Sequence, residues 1–260
     1  MPTTPDPAPT TAANPPRVAV VTGASRGIGR AVARALLDDG WHVAALARDA
    51  TGLASALEGA GPRALALPTD VTDPAAVAAA FDQVLARWGR VDLLFNNAGI
   101  FTPAAPIETF PLEHWRRSVD VNLTGMFLCL QQAFRAMKQQ SPPGGRILNN
   151  GSLAAQVPRP HAIAYTATKH AITGLTAAAA LEGRDHGIAV GQVDIGNVAT
   201  DMTERMGSGV LQADGSVRPE PRMPMDRVVA TVRALVALPL DANVLQATIL
   251  ATAMPFVGRG

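Results

Sequence analysis

From Arg17 onward, short uninterrupted apolar runs alternate with longer stretches whose apolar residues recur at helical spacing. The first run, 18–21, is closed by Thr22-Gly23, which predicts a strand buried on both faces. Ile28, Val32, Ala35 and Leu36 then mark one side of a helix over 27–39, with Gly40 as its stop. Strands are predicted over 42–47 and 63–67. Asp73 is a good N-cap with Pro74 at the first helical position, so a helix follows over 74–88. Residues 91–95 form a fourth strand. A long helix runs over 112–138, bent near 122–125, and a Pro-Gly turn follows at 141–145. The remaining elements are a fifth strand at 146–150, a helix at 162–185, a sixth strand at 188–193, a helix at 226–237 and a last strand at 244–251. Residues 196–225, with glycines, prolines and methionines, read as irregular.

Alternation of this kind predicts a parallel sheet with helices on both faces. Right-handed crossovers make it doubly wound, and seven strands are counted. Ligands of such sheets bind beyond the carboxyl ends of the strands. The length, 260 residues, fits one catalytic domain over 17–260, with a lid at about 196–225. The first sixteen residues hold six prolines and four threonines and read as a disordered tail.

The net charge of +1 has no block of like sign, so neither nucleic acid nor an anionic membrane is expected as a partner. A lone cysteine, Cys129, among Met126, Phe127, Leu128 and Leu130 reads as helix packing, and a chain without a disulfide framework fits the cytoplasm. No apolar window is long enough for a membrane span, and no metal site is expected.

The chemistry begins with Thr22-Gly-Ala-Ser-Arg-Gly-Ile-Gly29, between the first strand and the first helix. Gly23 supplies a tight turn, Gly27 a close approach for a pyrophosphate, and Gly29 tight helix–strand packing. The backbone over Ser25, Arg26, Gly27 and Ile28 opens the helix, where free amides and the helix dipole favour an anion. Farther on, Ser152 follows the fifth strand. Tyr165 and Lys169 lie at i and i+4 on the next helix and share one face. An ammonium beside a phenol favours the phenolate, so Lys169 is expected to bring Tyr165 down from its ordinary value of about 10. Such a phenol exchanges a proton with an alcohol or carbonyl oxygen, and Ser152 orients that oxygen.

The T-G-x-x-x-G-x-G loop with Y-x-x-x-K at this distance resembles the short-chain dehydrogenase/reductase family, in its single-domain Rossmann-type branch, over nearly the whole chain. The resemblance implies an oxidoreductase that moves a hydride between a nicotinamide cofactor and a ketone or secondary alcohol. It assigns proton chemistry to Asn122, Ser152, Tyr165 and Lys169, with the Asn122 backbone carbonyl holding a water that connects Lys169 to solvent. It gives Asp70 and Val71 to adenine, Asn97 to support of the sheet, Ala98 and Gly99 to the ribose, and Gly196, Val198 and Thr200 to the nicotinamide side. It places Ala47 where the acidic ribose ligand of NAD-binding members stands. Arg48 next to it and Arg26 in the loop favour a 2′-phosphate, hence NADP(H), with NAD(H) open and Asp49 within reach of the ribose. It also implies a homo-oligomer, a tetramer or dimer, through the two long helices and the last strand.

The chain departs from the family where Pro-Gly is usual after the sixth strand, reading Asp194-Ile195-Gly196, and in its tail 254–260. The methionines Met202, Met206, Met223 and Met225, with Val210 and Leu211, predict an adaptable apolar pocket. Residues 153–161 and 100–107 form its other walls, and His161 is read as a loop residue. The expected substrate is therefore a neutral, rather apolar carbonyl or alcohol. A competing reading is a cofactor-binding regulatory protein with little turnover; such a protein would be expected to have lost Tyr165 or Lys169.

Overall fold

β1 (Val18–Thr22) is buried along its whole length, and its residues alternate between two cores. Ala19 and Val21 join one cluster, Val18 and Val20 the other. That division is repeated across the molecule in a computed structural model that describes residues 16–200, 203–204 and 208–257. Most of the tail expected at 1–16 thus lies outside the described residues, as do Met202, Met206 and 258–260.

The elements follow in the order α1 (Gly27–Asp38), β2 (His42–Ala47), α2 (Ala50–Ala56), β3 (Ala64–Pro68), α3 (Pro74–Trp88), β4 (Leu93–Asn96), α4 (Leu112–Val119), α5 (Gly125–Gln139), β5 (Gly145–Asn150), α6 (Ile163–Gly183), β6 (Ile188–Ile195), the small hairpin β7 (Val210–Leu211) and β8 (Val217–Arg218), α7 (Met225–Ala237) and β9 (Gln246–Ile249). The main sheet has seven strands in the order β3-β2-β1-β4-β5-β6-β9, every pair parallel. Helices α1, α2 and α7 cover one face through Val32, Leu36, Leu53, Val228 and Val232. Helices α3, α5 and α6 cover the other through Val77, Phe81, Ala133 and Ala179. This is the expected doubly wound α/β domain. Its strand order reverses between β1 and β4, and ligands bind at such a switch point.

Local chemistry explains where the elements begin. Asp73 accepts from the amides of Ala75 and Ala76 and starts α3, with Pro74 behind it. β4 starts at Leu93 and not at Val91, because the Gln140 side chain takes both backbone groups of Val91 in place of a neighbouring strand. α2 was not anticipated; the Asp49 carboxylate caps it by accepting from Gly52 N at 3.0 Å. The expected bend near 122–125 is a π-helical turn, Asp120–Thr124, between α4 and α5. The described residues of 196–225 are not wholly irregular, carrying the β7–β8 hairpin and a bridge between Val198 and Met223. Among the described residues no helix is long and apolar enough to cross a membrane.

Candidate active site

The loop after β1 is shaped by its glycines. Gly23 and Gly27 have φ of +66° and +55°, where a side chain is strained. A Cβ on Gly29 would stand 2.3 Å from the Gly23 carbonyl oxygen, so the first helical turn closes on the loop only without one. Gly27 is open by comparison, its nearest neighbour being the Thr200 methyl at 3.9 Å. No side chain caps the N-terminus of α1. Free amides facing open space at a switch point fit a pyrophosphate. Ser25 packs against Gly52 of α2, and Ile28 reaches back to the core.

The ends of β1, β4 and β5 are tied by one polar network. The Thr22 hydroxyl accepts from the amides of Asn97 and Ala98 at 2.8 and 2.9 Å. Asn97 Nδ2 donates to the Thr22 carbonyl at 2.9 Å, and Asn150 Nδ2 donates to Asn97 Oδ1 at 2.8 Å. Asn97 thus bridges Thr22 at the end of β1 and Asn150 at the end of β5. Gly99 lies against the Asn122 side chain. Asn122 itself is fully buried in the π turn, where its amide exchanges two hydrogen bonds with the backbone of Ile100. That clamp fixes the start of the 100–107 wall.

At the other side of the loop, Arg26 and Arg48 are exposed and Ala47 is buried at the end of β2. The exposed Asp49 uses one carboxylate oxygen to cap α2, accepting from Gly52 N. Asp70 accepts from the amide and hydroxyl of Thr72, and these bonds, with Arg48 and Arg117 nearby, hold its carboxyl below the ordinary range. Val71 is buried against Gly125, whose missing side chain lets the β3 loop touch α5.

Ser152, Tyr165 and Lys169 converge at the end of β5. The Ser152 hydroxyl oxygen accepts from Ala154 N at 3.2 Å, and its side chain is hydrogen-bonded to the Tyr165 phenol. Lys169 Nζ stands 5.6 Å from the centre of the Tyr165 ring and donates to the Asn150 carbonyl at 2.7 Å. Burial pushes the Lys169 ammonium down to about 8. Burial also pushes the Tyr165 phenol up, more than its bond to Ser152 and the charge of Arg159 bring it down. The expected lowering by Lys169 is thus corrected for the unliganded protein: desolvation of the phenol outweighs its favourable neighbours. Phe101 packs on the Tyr165 ring at 4.7 Å between centroids.

Gly196 fits between Leu153 and Leu250, and Thr200 lies by the glycine loop, joined to Thr203 through their hydroxyls. The Thr203 hydroxyl donates to the Val198 carbonyl. Met223 is a core residue and not a pocket wall. It is buried in the core and tied through its backbone to Asn197 and Ala199, while Met225, the first residue of α7, is half-buried against the same cluster. The walls 100–107 and 153–161 do meet, where Ala105 N donates to the His161 carbonyl at 3.3 Å. His161 is a loop residue with φ of +58°. A cavity of about 800 Å³ lies beside these walls, lined by Arg159, His161, Thr166 and His170, but neither Ser152 nor Tyr165 lines it, so the reaction belongs at their oxygens and not in that cavity.

Sequence reasoning missed several neighbours. Arg159 pairs with the buried Glu220 at 2.5 Å, joining the 153–161 segment to the loop after β8 across 61 positions. Nothing local in the sequence links them. Asp194 lies just past the strand predicted at 188–193, yet a lone acid at the end of an apolar run is a readable signal. The buried Thr22 could have been inferred from its place at the end of a strand.

Comparison with known proteins agrees with this geometry. Residues 17–210 match the family model described as short chain dehydrogenase. The chain is 37% identical over 223 residues to the cis-4-hydroxycyclohexanecarboxylate dehydrogenase of Sinomonas cyclohexanicum, covering 85% of this chain and 89% of the relative. It is similar to a 3-ketoacyl-(acyl-carrier-protein) reductase from Brucella melitensis complexed with NADH, with a TM-score of 0.81 and 26% identity over 90% of this chain and 97% of that one. It is also similar to an alcohol dehydrogenase from the archaeon Thermococcus sibiricus complexed with 5-hydroxy-NADP, with a TM-score of 0.75 and 28% identity over 90% and 95% of the two chains. With the family model matched over most of its length, the chain belongs to the short-chain dehydrogenase/reductase family of oxidoreductases.

Proposed function

We propose that the protein interconverts a secondary alcohol and a ketone with a nicotinamide dinucleotide, preferring NADP(H), and that Tyr165 exchanges the proton. The observation that carries this reading is the convergence of the Ser152 hydroxyl, the Tyr165 phenol and the Lys169 ammonium at the end of β5. The open α1 N-terminus and the Gly23 and Gly27 conformations support a dinucleotide whose pyrophosphate lies over Ser25–Ile28. Val71, Ala98 and Gly99 would flank its adenosine half, and Gly196, Val198 and Thr200 its nicotinamide half. When bound, the cofactor supplies or accepts the hydride.

The protein's own part is proton handling and orientation. Ala154 N occupies a lone pair of the Ser152 oxygen, so the hydroxyl proton is directed toward the Tyr165 phenol and can turn to a substrate oxygen placed between them. Tyr165 gives its proton to that oxygen in reduction and removes it in oxidation. Lys169 holds its charge behind the phenol, and Asn122 fixes the loop in front of it. Arg26 and Arg48, both exposed beside the glycine loop, support the NADP(H) preference, since Ala47 stands at the end of β2 where NAD-binding members carry an acid. Phe101 and Leu153 support a compact apolar substrate, and the hydroxycycloalkane acid named for the Sinomonas relative is a starting point for a screen. Exposed Phe127, Leu181 and Leu245 support a homo-oligomer through α5, α6 and the β9 edge, and we place the protein in the cytoplasm. The test is a panel of ketones and alcohols followed by cofactor absorbance with NADPH and NADH. Tyr165→Phe is expected to abolish turnover while retaining cofactor binding; a fully active Tyr165→Phe would remove the phenol from the reaction.

A further inference from the structure

Asp194 interrupts the otherwise uncharged strand β6, and it is completely buried. Burying a carboxylate without partners costs several kcal/mol, so its surroundings are informative. Four N–H groups from separate parts of the chain converge on it. Oδ1 accepts from the Ser152 amide at 3.0 Å and from Gln192 Nε2 at 2.7 Å. Oδ2 accepts from Gln156 Nε2 at 2.7 Å and from Gln246 Nε2 at 2.9 Å. In each contact the carboxylate is the acceptor, the role of an ionised acid. All four donors are neutral, and no ion pair among the described residues includes Asp194. The residue before Ser152 is glycine, and a Cβ there would lie 2.0 Å from Oδ1, so the chain passes directly over the carboxylate.

We propose that Asp194 is a positioning residue for the Ser152–Tyr165–Lys169 group, holding the Ser152 backbone in place and setting a buried negative charge beneath the phenol and the ammonium. The inference rests on the proton-transfer reading above. Its chemical consequence is that Asp194 favours the protonated forms of both Tyr165 and Lys169. On the other side Arg159 favours the phenolate, so the phenol lies between a carboxylate from β6 and a guanidinium from the 153–161 wall. The other polar neighbours, Gln156, Gln192, Gln246 and the Thr248 hydroxyl, are uncharged. The acid in β6 thereby adds to burial in keeping the phenol protonated, against Ser152 and Arg159.

Asp194→Asn removes the charge and keeps the shape, because each glutamine can turn its amide to offer a carbonyl to the new NH₂. In the Asn variant the rising limb of kcat/KM for alcohol oxidation is expected to move to lower pH by about half a unit or more. Tyr165 is the only tyrosine of the chain, so its ultraviolet titration reads the same shift without turnover. Asp194→Ala leaves the Ser152 amide unpaired and is expected to lose about tenfold or more of kcat/KM at every pH. A limb and a tyrosine titration that coincide in the native protein and Asp194→Asn would overturn the proposal. If Asp194→Asn does not fold, Gln246→Met strips one donor from the carboxylate and should move the limb to higher pH; an unmoved limb counts against the proposal equally. Tyr165→Phe run in parallel separates the two readings. If it is active, the proton-transfer reading fails; if it is inactive while Asp194→Asn titrates like the native protein, only the role of Asp194 fails.

Discussion

Asn97→Ala is the most informative test of the network that joins three strand ends. The substitution removes the bond from Nδ2 to the Thr22 carbonyl and the bond from Asn150 to Oδ1, at 2.9 and 2.8 Å. Each is worth about 1 kcal/mol net, and a buried group left without a partner costs about 1–3 kcal/mol more. Thr22 is fully buried, and Asn150 already has a buried Oδ1 without a partner among the described residues, so its whole side-chain amide would be orphaned. Asn97 is itself only part-buried, which lets water enter the gap and keeps the total near the lower end, about 2–3 kcal/mol. Urea unfolding of the cofactor-free protein should show a lower midpoint at an unchanged slope. The same variant should bind NADPH about tenfold more weakly or worse, because Thr22 sets the entry to the glycine loop. A loss of stability below about 0.5 kcal/mol, as for an ordinary surface change, would refute the account of Asn97 as a structural link.

The other expectations are independent of that network. Gly29→Ala, with its Cβ 2.3 Å from the Gly23 oxygen, should open the loop and abolish cofactor fluorescence enhancement while costing about 1–3 kcal/mol of stability. Arg48→Asp should shift the NADPH-to-NADH ratio of kcat/KM about tenfold or more toward NADH, and an unchanged ratio would show that Arg48 does not meet a 2′-phosphate. Lys169 is held at about 8 in the fold against 10.5 in the open chain, so between these values the unfolded state binds more protons. Stability of the cofactor-free protein should therefore rise as pH goes from about 8 toward 10, and Lys169→Met should flatten that rise; above 10 the raised Tyr165 opposes it. Cys129, pushed up to about 12 by burial, should resist a thiol reagent at neutral pH until the protein is denatured.

Strands were legible because a parallel sheet buried on both faces demands apolar runs, and Val18–Val21 of β1, Val43–Ala47 of β2 and Leu93–Phe95 of β4 supply them. Asp73-Pro74 was legible because capping and a fixed φ act within a few residues. What escaped was decided at a distance or by weak local terms. α2 is seven residues with a glycine inside, too short and too poor a helix former to declare itself. The edge of β4 moved because of Gln140, 49 positions away. In the candidate site the glycine loop, Ser152, Tyr165 and Lys169 were readable from spacing. The direction of the Tyr165 shift was not, because burial of the phenol depends on Phe101 and the walls around it. Met223 looked like a pocket residue for its type, yet its backbone partners make it core.

The reach of Gln246 to Asp194 carries a consequence for how the protein matures. β9 is the last strand, and Arg146 of β5 also donates to the carbonyls of Leu238, Pro239 and Ala242 just ahead of it. The oldest part of the site, the loop after β1, can form early in synthesis, but the floor beneath Ser152 is assembled from residues nearly a hundred positions later. Contacts of such separation form late in folding. Catalytic competence should consequently appear in one step with the docking of the final strand, and a nascent chain paused short of it would be a binder without a reaction.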